Sequence, residues 1–135
     1  MSDTKHYPTE IKLHKKSRTL ELSFDDGSHF TLPHEFLRVY SPSAEVQGHG
    51  PGQEVLQLEK ENVAILSLEQ VGNYALKISF DDGHDTGLYS WDTLYNLGSE
   101  HDALWQQYLD RLEAGGHVRD LNRPKKSVVT PLIGD

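Results

Sequence analysis

Cysteine is absent from the 135 residues, which excludes disulfides, thiol catalysis, Cys-ligated zinc and Cys-ligated iron–sulfur clusters. Long apolar runs are absent too. None approaches the ~20 residues of a membrane span, and Met1 to Glu10 lacks the apolar stretch of a signal peptide. A cytoplasmic address without membrane association is the default expectation. Basic charge is scarce, with 13 Lys plus Arg against 21 Asp plus Glu and a net charge of −8. The scarcity is local: residues 1–19 carry five basic and two acidic groups, residues 119–135 carry four and two, and the stretch between carries four and seventeen, a net of −13. Phosphate-backbone binding draws its affinity from many Lys and Arg contacts, so this acidic body argues against nucleic acid as a partner. Lys12, Lys15, Lys16 and Arg18 read as solvated charges around a first strand.

The length suits one domain, which at this size buries roughly two-thirds of its unfolded surface without staples. We place that domain at residues 1–118, with 119–135 as a polar, Pro-broken, mobile tail. Within the domain a motif recurs: Ser23-Phe24-Asp25-Asp26-Gly27 reappears as Ser79-Phe80-Asp81-Asp82-Gly83. Each copy follows alternating apolar residues, Leu20, Leu22 and Phe24 in the first and Leu76, Ile78 and Phe80 in the second. Period-two alternation ending in Asp-Gly signals a hairpin. A two-residue loop would turn Phe30 and Leu32 away from Leu20 and Leu22. A three-residue loop pairs Leu22 with Phe30 and Leu20 with Leu32, all on one face, which predicts a type I turn with Gly27 in the left-handed position of a bulge. The same register in the second copy pairs Leu76 with Leu88, Ile78 with Thr86 and Phe80 with His84, and sets His84 at the tip on the buried face. Duplication and convergent hairpin chemistry both account for the echo.

Each hairpin leads into a short helix, over Leu32–Arg38 with Pro33 in its first turn, and over Tyr89–Leu97 with Ser90 in its first turn and Gly98 at its exit. Ser41–Gln53, with three Gly, two Pro and two Ser, reads as a long loop. Val63–Leu68 reads as a buried strand and Val71-Gly72-Asn73 as the turn into the next one. Ser99 followed by Asp102 approximates an N-cap for a helix striped by Leu104, Tyr108 and Leu112 and stopped at Gly115-Gly116. The fold class is therefore α+β, with small antiparallel sheets built from two hairpin-plus-helix units and a C-terminal helix.

Chemistry by residue type is sparse. Asp25, Asp26, Asp81 and Asp82 invite a paired-acid reading, yet Asp favours such loop positions by bonding its own backbone. Gly48-His49-Gly50-Pro51-Gly52 lacks the Lys-Ser/Thr and the following helix of a phosphate loop. An iron(II) facial triad needs a His-x-Asp pair, which does not occur. A metal site built from His49, His84 and a carboxylate such as Glu45 or Asp85 has suitable donors but no characteristic spacing.

The stretch Leu37-Arg38-Val39-Tyr40-Ser41-Pro42-Ser43-Ala44-Glu45-Val46-Gln47-Gly48-His49-Gly50, together with Val71-Gly72-Asn73-Tyr74-Ala75-Leu76, Phe80-Asp81-Asp82-Gly83-His84-Asp85-Thr86-Gly87 and Tyr89-Ser90-Trp91, resembles the gamma-butyrobetaine-hydroxylase-like N-terminal domain family over roughly residues 10–100. That family was long catalogued as a domain of unknown function. The resemblance implies an α+β accessory module, found alone in bacteria, ahead of the oxygenase domain in carnitine-pathway hydroxylases, and behind a nucleotide-dependent iron–sulfur carrier domain in plastid proteins. In the hydroxylases it implies a structural zinc held by Cys-x-Cys-x-x-Cys and a later His. Those positions fall here on Ser41, Ser43, Val46 and His84. Hydroxyls and a hydrocarbon do not replace thiolates, so the expectation is a degenerate zinc site without metal or cofactor. His84 is then a relic or a hydrogen-bonding residue that ties the 41–49 loop to the second hairpin.

The function expected from these observations is a non-catalytic binding or adaptor domain rather than an enzyme. It would serve an unidentified protein partner linked to iron–sulfur assembly or to an oxygenase. Its expected surface comprises Arg38, Ser41, Ser43, Glu45, His49, His84 and Trp91, on the ground that polar loops on rigid scaffolds often carry function. The alternative is a small metal- or metabolite-binding domain centred on His49 and His84.

Overall fold

Leu20, Leu22 and Phe24 alternate with polar neighbours, and all three are buried, as a strand with one face on a core requires. In the computed structural model, which describes residues 5–123, they lie on β2 (Thr19–Phe24), between β1 (Pro8–His14) and β3 (His29–Pro33) in an antiparallel sheet. Leu20 pairs with Leu32 and Leu22 with Phe30. The turn is the bulged type expected: Gly27 has φ +88°, its N–H donates to Phe24 O at 3.0 Å, and the Phe24 N–H donates to Ser28 O at 2.9 Å. The chain then enters α1 (His34–Val39) and a one-turn helix α2 (Ala44–Gln47) inside the stretch expected to be loop. Ser43 makes that turn by accepting the Glu45 N–H.

A second sheet orders β4 (Ile65–Val71), β5 (Ala75–Phe80) and β6 (Gly87–Ser90), followed by α3 (Trp91–Ser99) and α4 (His101–Ala114). Each hairpin-plus-helix unit is present as expected, and a preceding strand, β1 or β4, extends it to three strands and a helix. The repeat extends to irregularities. The bulge between Pro8 and Glu10 against β2 recurs between Ile65 and Ser67 against β5. Asp25 bonds the backbone of Tyr7 in both directions, and Asp81 bonds that of Ala64 likewise. His34 N–H donates to Arg18 O, and Trp91 N–H to Tyr74 O.

The second hairpin corrects the expected register. Its tip repeats the first, with Phe80 N–H on His84 O and Gly83 at φ +90°. Beyond the tip, however, Ile78 pairs with Gly87 and Leu76 with Tyr89, one residue later than Thr86 and Leu88. The extra residue reverses the faces: Tyr89 is fully buried and Leu88 is exposed. Two helix ends are also corrected. Gly98 sits inside α3, where a Cβ would come within 2.4 Å of the Phe30 ring. Ser99 bonds back to Asn96 O and does not cap α4, which begins after Glu100.

Both sheets, α1 and α3 contribute to one core that includes Leu20, Leu22, Phe36, Ile78, Phe80 and Leu94. On α4, Tyr108 and Leu112 pack against Val39 at the end of α1. Of the residues expected to form the polar tail, 119–123 carry ion pairs to the body: Arg119 forms a two-pronged pair with Glu35, and Arg123 pairs with Glu61. Residues 124–135 of that tail lie outside the described residues. No helix among the described residues is long and apolar enough to cross a membrane.

Candidate functional site

The two halves interlock through their helices. From α1, Arg38 reaches the second hairpin and donates from Nε to Asp82 Oδ2 at 2.9 Å; from α3, Tyr95 reaches the first and donates to Asp26 Oδ2 at 2.7 Å. Asp82 also accepts Lys60 Nζ at 2.6 Å and, through Oδ1, the His84 N–H at 3.1 Å. Burial alone would raise the Asp82 pKa, but the Lys60 hydrogen bond and the Arg38 charge outweigh it and hold the carboxyl below its ordinary value. The other prong of Arg38 donates to Gln57 Oε1 at 3.0 Å. Sequence gave no sign of this triplet of charges, because Lys60 carries no motif.

Beside it lies a polar junction between α2 and the second hairpin. It exists because residue 87 is Gly where the first hairpin has Phe30; a Cβ on Gly87 would come within 2.7 Å of Ser41 Oγ. Ser41 Oγ bonds His84 Nε2 at 2.9 Å, and His84 Nδ1 faces Glu45 Oε2 at 3.1 Å. Thr86 donates to the same Glu45 oxygen at 2.6 Å, so the 2.7 Å contact between Ser43 Oγ and Thr86 Oγ1 has Ser43 as donor. The network assigns the tautomer: Nδ1 of His84 carries the proton for Glu45, and Nε2 accepts from Ser41. Burial, with the Arg38 cation beside it, lowers the His84 pKa against the opposing pull of Glu45 and Asp82. Glu45 in turn is held below its ordinary value, first by Thr86.

Serine, imidazole and carboxylate thus stand in the order of an acyl-transfer relay. The nucleophile position is closed, however. Ser41 is 0 % exposed, and its oxygen also receives the Ser43 N–H at 3.2 Å. The zinc implied by the family resemblance fits no better: Ser41, Ser43 and His84 are joined by hydrogen bonds, and Val46, buried in the same helical turn, has no donor. Among the described residues no group of three or more His, Asp or Glu is arranged to hold a metal ion.

Of the seven residues expected on a recognition surface, five are buried: Arg38, Ser41, Ser43, His84 and Trp91. Trp91 opens α3 within the core and donates Nε1–H to Asn73 O at 2.7 Å. Arg38 is helical and ion-paired rather than an exposed loop residue. The enclosure of Ser41, Ser43 and His84 follows from the α2 turn, which folds the 41–49 stretch back over the second hairpin. Glu45, with its side chain 63 % exposed, and His49 remain at the surface. His84 does tie this segment to the hairpin.

A paired set of three-stranded sheets, each feeding a helix, with a hydroxyl- and imidazole-lined junction between the halves, defines a small α+β domain of repeated architecture. The family described as "Gamma-butyrobetaine hydroxylase-like, N-terminal" matches residues 11–95, and the chain belongs to it. Among solved structures, two determined by NMR in solution are similar over nearly the whole chain. One is 50 % identical with a TM-score of 0.74, covering 95 % of this chain and 98 % of that one. The other is 52 % identical with a TM-score of 0.73, covering 94 % and 97 %. A crystal structure of a protein of unknown function from Acidithiobacillus ferrooxidans, assigned to the DUF971 family, is 34 % identical with a TM-score of 0.58, covering 69 % of this chain and 93 % of that one. No curated protein matches the chain.

Proposed function

We propose that this protein is a non-catalytic binding domain that engages a protein partner through the α2 turn, at Glu45 and His49. The observation that carries the reading is the closure of the polar junction. Ser41, His84, Ser43 and Thr86 direct their hydrogen bonds at one another and at Glu45, and the enclosed Ser41 hydroxyl offers no approach to a substrate carbonyl. The junction instead stiffens the α2 turn and sets the outer side of Glu45 facing solvent, the arrangement expected of a recognition loop on a rigid scaffold. Relatives of the family are joined to iron–sulfur carrier or oxygenase domains. The partner class we assign is therefore a component of iron–sulfur assembly or an oxygenase.

The test is partner capture measured beside melting curves for Glu45→Gln and His49→Ala. Gln at position 45 keeps an oxygen to accept from Thr86 and His84, and His49 is exposed, so the midpoints should stay within about 2 °C of the parent, while partner capture should fall at least about ten-fold in each variant relative to the parent. Retained capture in both would move the surface elsewhere. A panel of activated esters tests the non-catalytic half of the reading: hydrolysis that disappears in Ser41→Ala would sink it.

A further inference from the structure

Glu35 and Glu61 are only 5 % and 8 % exposed, and carboxylates so enclosed require cations. Both cations come from one short segment after the end of α4. Arg119 donates Nε and Nη2 to the two oxygens of Glu35, and its guanidinium lies 5.1 Å over the Trp105 ring. Arg123 donates Nε to both oxygens of Glu61, and the Asp120 N–H adds a 2.8 Å bond to Glu61 Oε2. A forked acceptor with an aromatic platform reads guanidinium in preference to ammonium. The groove beneath the segment, about 260 Å³, runs between Leu58, Tyr108 and Leu112.

The segment is held by polar contacts: its two arginine heads, the Asp120 N–H on Glu61, and the Asn62 amide that donates to the Arg123 carbonyl. Its apolar side chains, Val118 and Leu121, are 78 % and 64 % exposed, and it is joined to α4 through Gly115 and Gly116, the latter at φ +74°. A strap whose sole purpose was to close the core would turn Val118 and Leu121 inward.

We propose that this groove is a binding site for a partner peptide carrying Arg-x-x-x-Arg, occupied in cis by Arg119 and Arg123 and opened by exchange. The carboxylates never stand empty, because one pair of guanidiniums replaces another. The net −13 of the body favours approach of such a basic segment. The site is separate from the α2 turn, and neither reading depends on the other.

The experiment titrates a fluorescein-labelled peptide with the sequence of residues 117–123 into the full-length protein and into full-length Arg119→Ala/Arg123→Ala. In the parent the peptide competes with a tethered segment at an effective concentration on the order of millimolar, so the double variant should bind at least about ten-fold tighter. A peptide with both arginines changed to lysine should lose at least about ten-fold, and Glu61→Gln in the double variant should lose as much. Absence of binding by a folded double variant overturns the proposal, as does equal binding of the lysine peptide. If the double variant does not fold, the parent serves instead: an excess of the arginine peptide should shift the indole resonance of Trp105, and an unmoved resonance overturns the site. Concentration-dependent doubling of the parent's mass, with the segment exchanged between copies, would replace the partner peptide by a second copy and overturn it equally.

Discussion

His34 occupies, at the start of α1, the place that Trp91 occupies at the start of α3. Its Nδ1 accepts the Ile65 N–H at 3.1 Å and so joins the two halves. Nε2 must then carry the proton, and it has no hydrogen-bond partner among the described residues. Burial dominates the lowering of its pKa, assisted by Arg18 and opposed by the Thr19 backbone and Asp81. His84 is lowered by burial in the same way. An imidazole with a native pKa below its unfolded value of ~6.5 is neutral in the fold and takes up protons first in the unfolded chain. Its stabilisation is therefore complete above about pH 6.5 and declines as pH falls below it, levelling beneath the native pKa. Carboxylates act lower: Glu21, held at about 2 by His14 and His29, loses its contribution only as pH falls from about 4.5 towards that value. Urea midpoints at about pH 7.5 and about pH 5.5 should therefore differ, and the difference should shrink in His34→Asn, whose Oδ1 takes the place of Nδ1 as acceptor for the Ile65 N–H without titrating. An unchanged difference would place the acid sensitivity in His84.

At the scale of elements, the hairpins carry the clearest link from sequence to structure. Alternation and the Asp-Asp-Gly turn predict the first sheet's register because every apolar residue from 20 to 32 must face one way. The second copy departs because two residues, Asp85 and Thr86, lie between His84 and the paired Gly87, where the single His29 lies between Ser28 and the paired Phe30, and an apolar count weighs Leu88 and Tyr89 equally. What separates them is space: Tyr89 fits inside because Gly87 and Ser41 are small and Leu37 O accepts its hydroxyl at 2.6 Å. The α2 turn was hidden among Gly and Pro, since a single capped turn leaves no periodicity, and the ion pairs of residues 119–123 were hidden because partners 84 and 62 residues away leave no spacing to read. The turns themselves offer a clean test. A Cβ on Gly27 or Gly83 meets nothing within 4 Å, so the whole cost of alanine is its left-handed backbone. Gly27→Ala and Gly83→Ala should each lose about 1 kcal/mol in chemical denaturation. Equal stability in both would remove the bulged-turn account.

At the scale of the molecule, the repeat and the core impose opposite tendencies. Two units with matching strands, bulges and hairpin tips have the local information to form separately, yet neither encloses its own apolar face: Leu22 and Phe36 share a core with Ile78 and Leu94. The crossed contacts, Arg38 to Asp82 and Tyr95 to Asp26, bind each helix to the other unit's hairpin. Unfolding one unit would therefore bare the core of the other, and a single transition is expected. Asp82→Asn tests this at its most sensitive point. It leaves Arg38, 9 % exposed in its side chain, and Lys60, 20 % exposed, without their carboxylate, at a cost on the order of 3 kcal/mol, the lower end for breaking a buried pair. Far-UV circular dichroism follows both sheets and the helices, whereas tryptophan fluorescence follows Trp91 in the shared core and Trp105 on α4. The two melting curves should coincide in the parent and still coincide, at a lower midpoint, in Asp82→Asn. Separated curves in the variant would mean that the Arg38–Asp82 crossing, rather than the shared core, couples the halves.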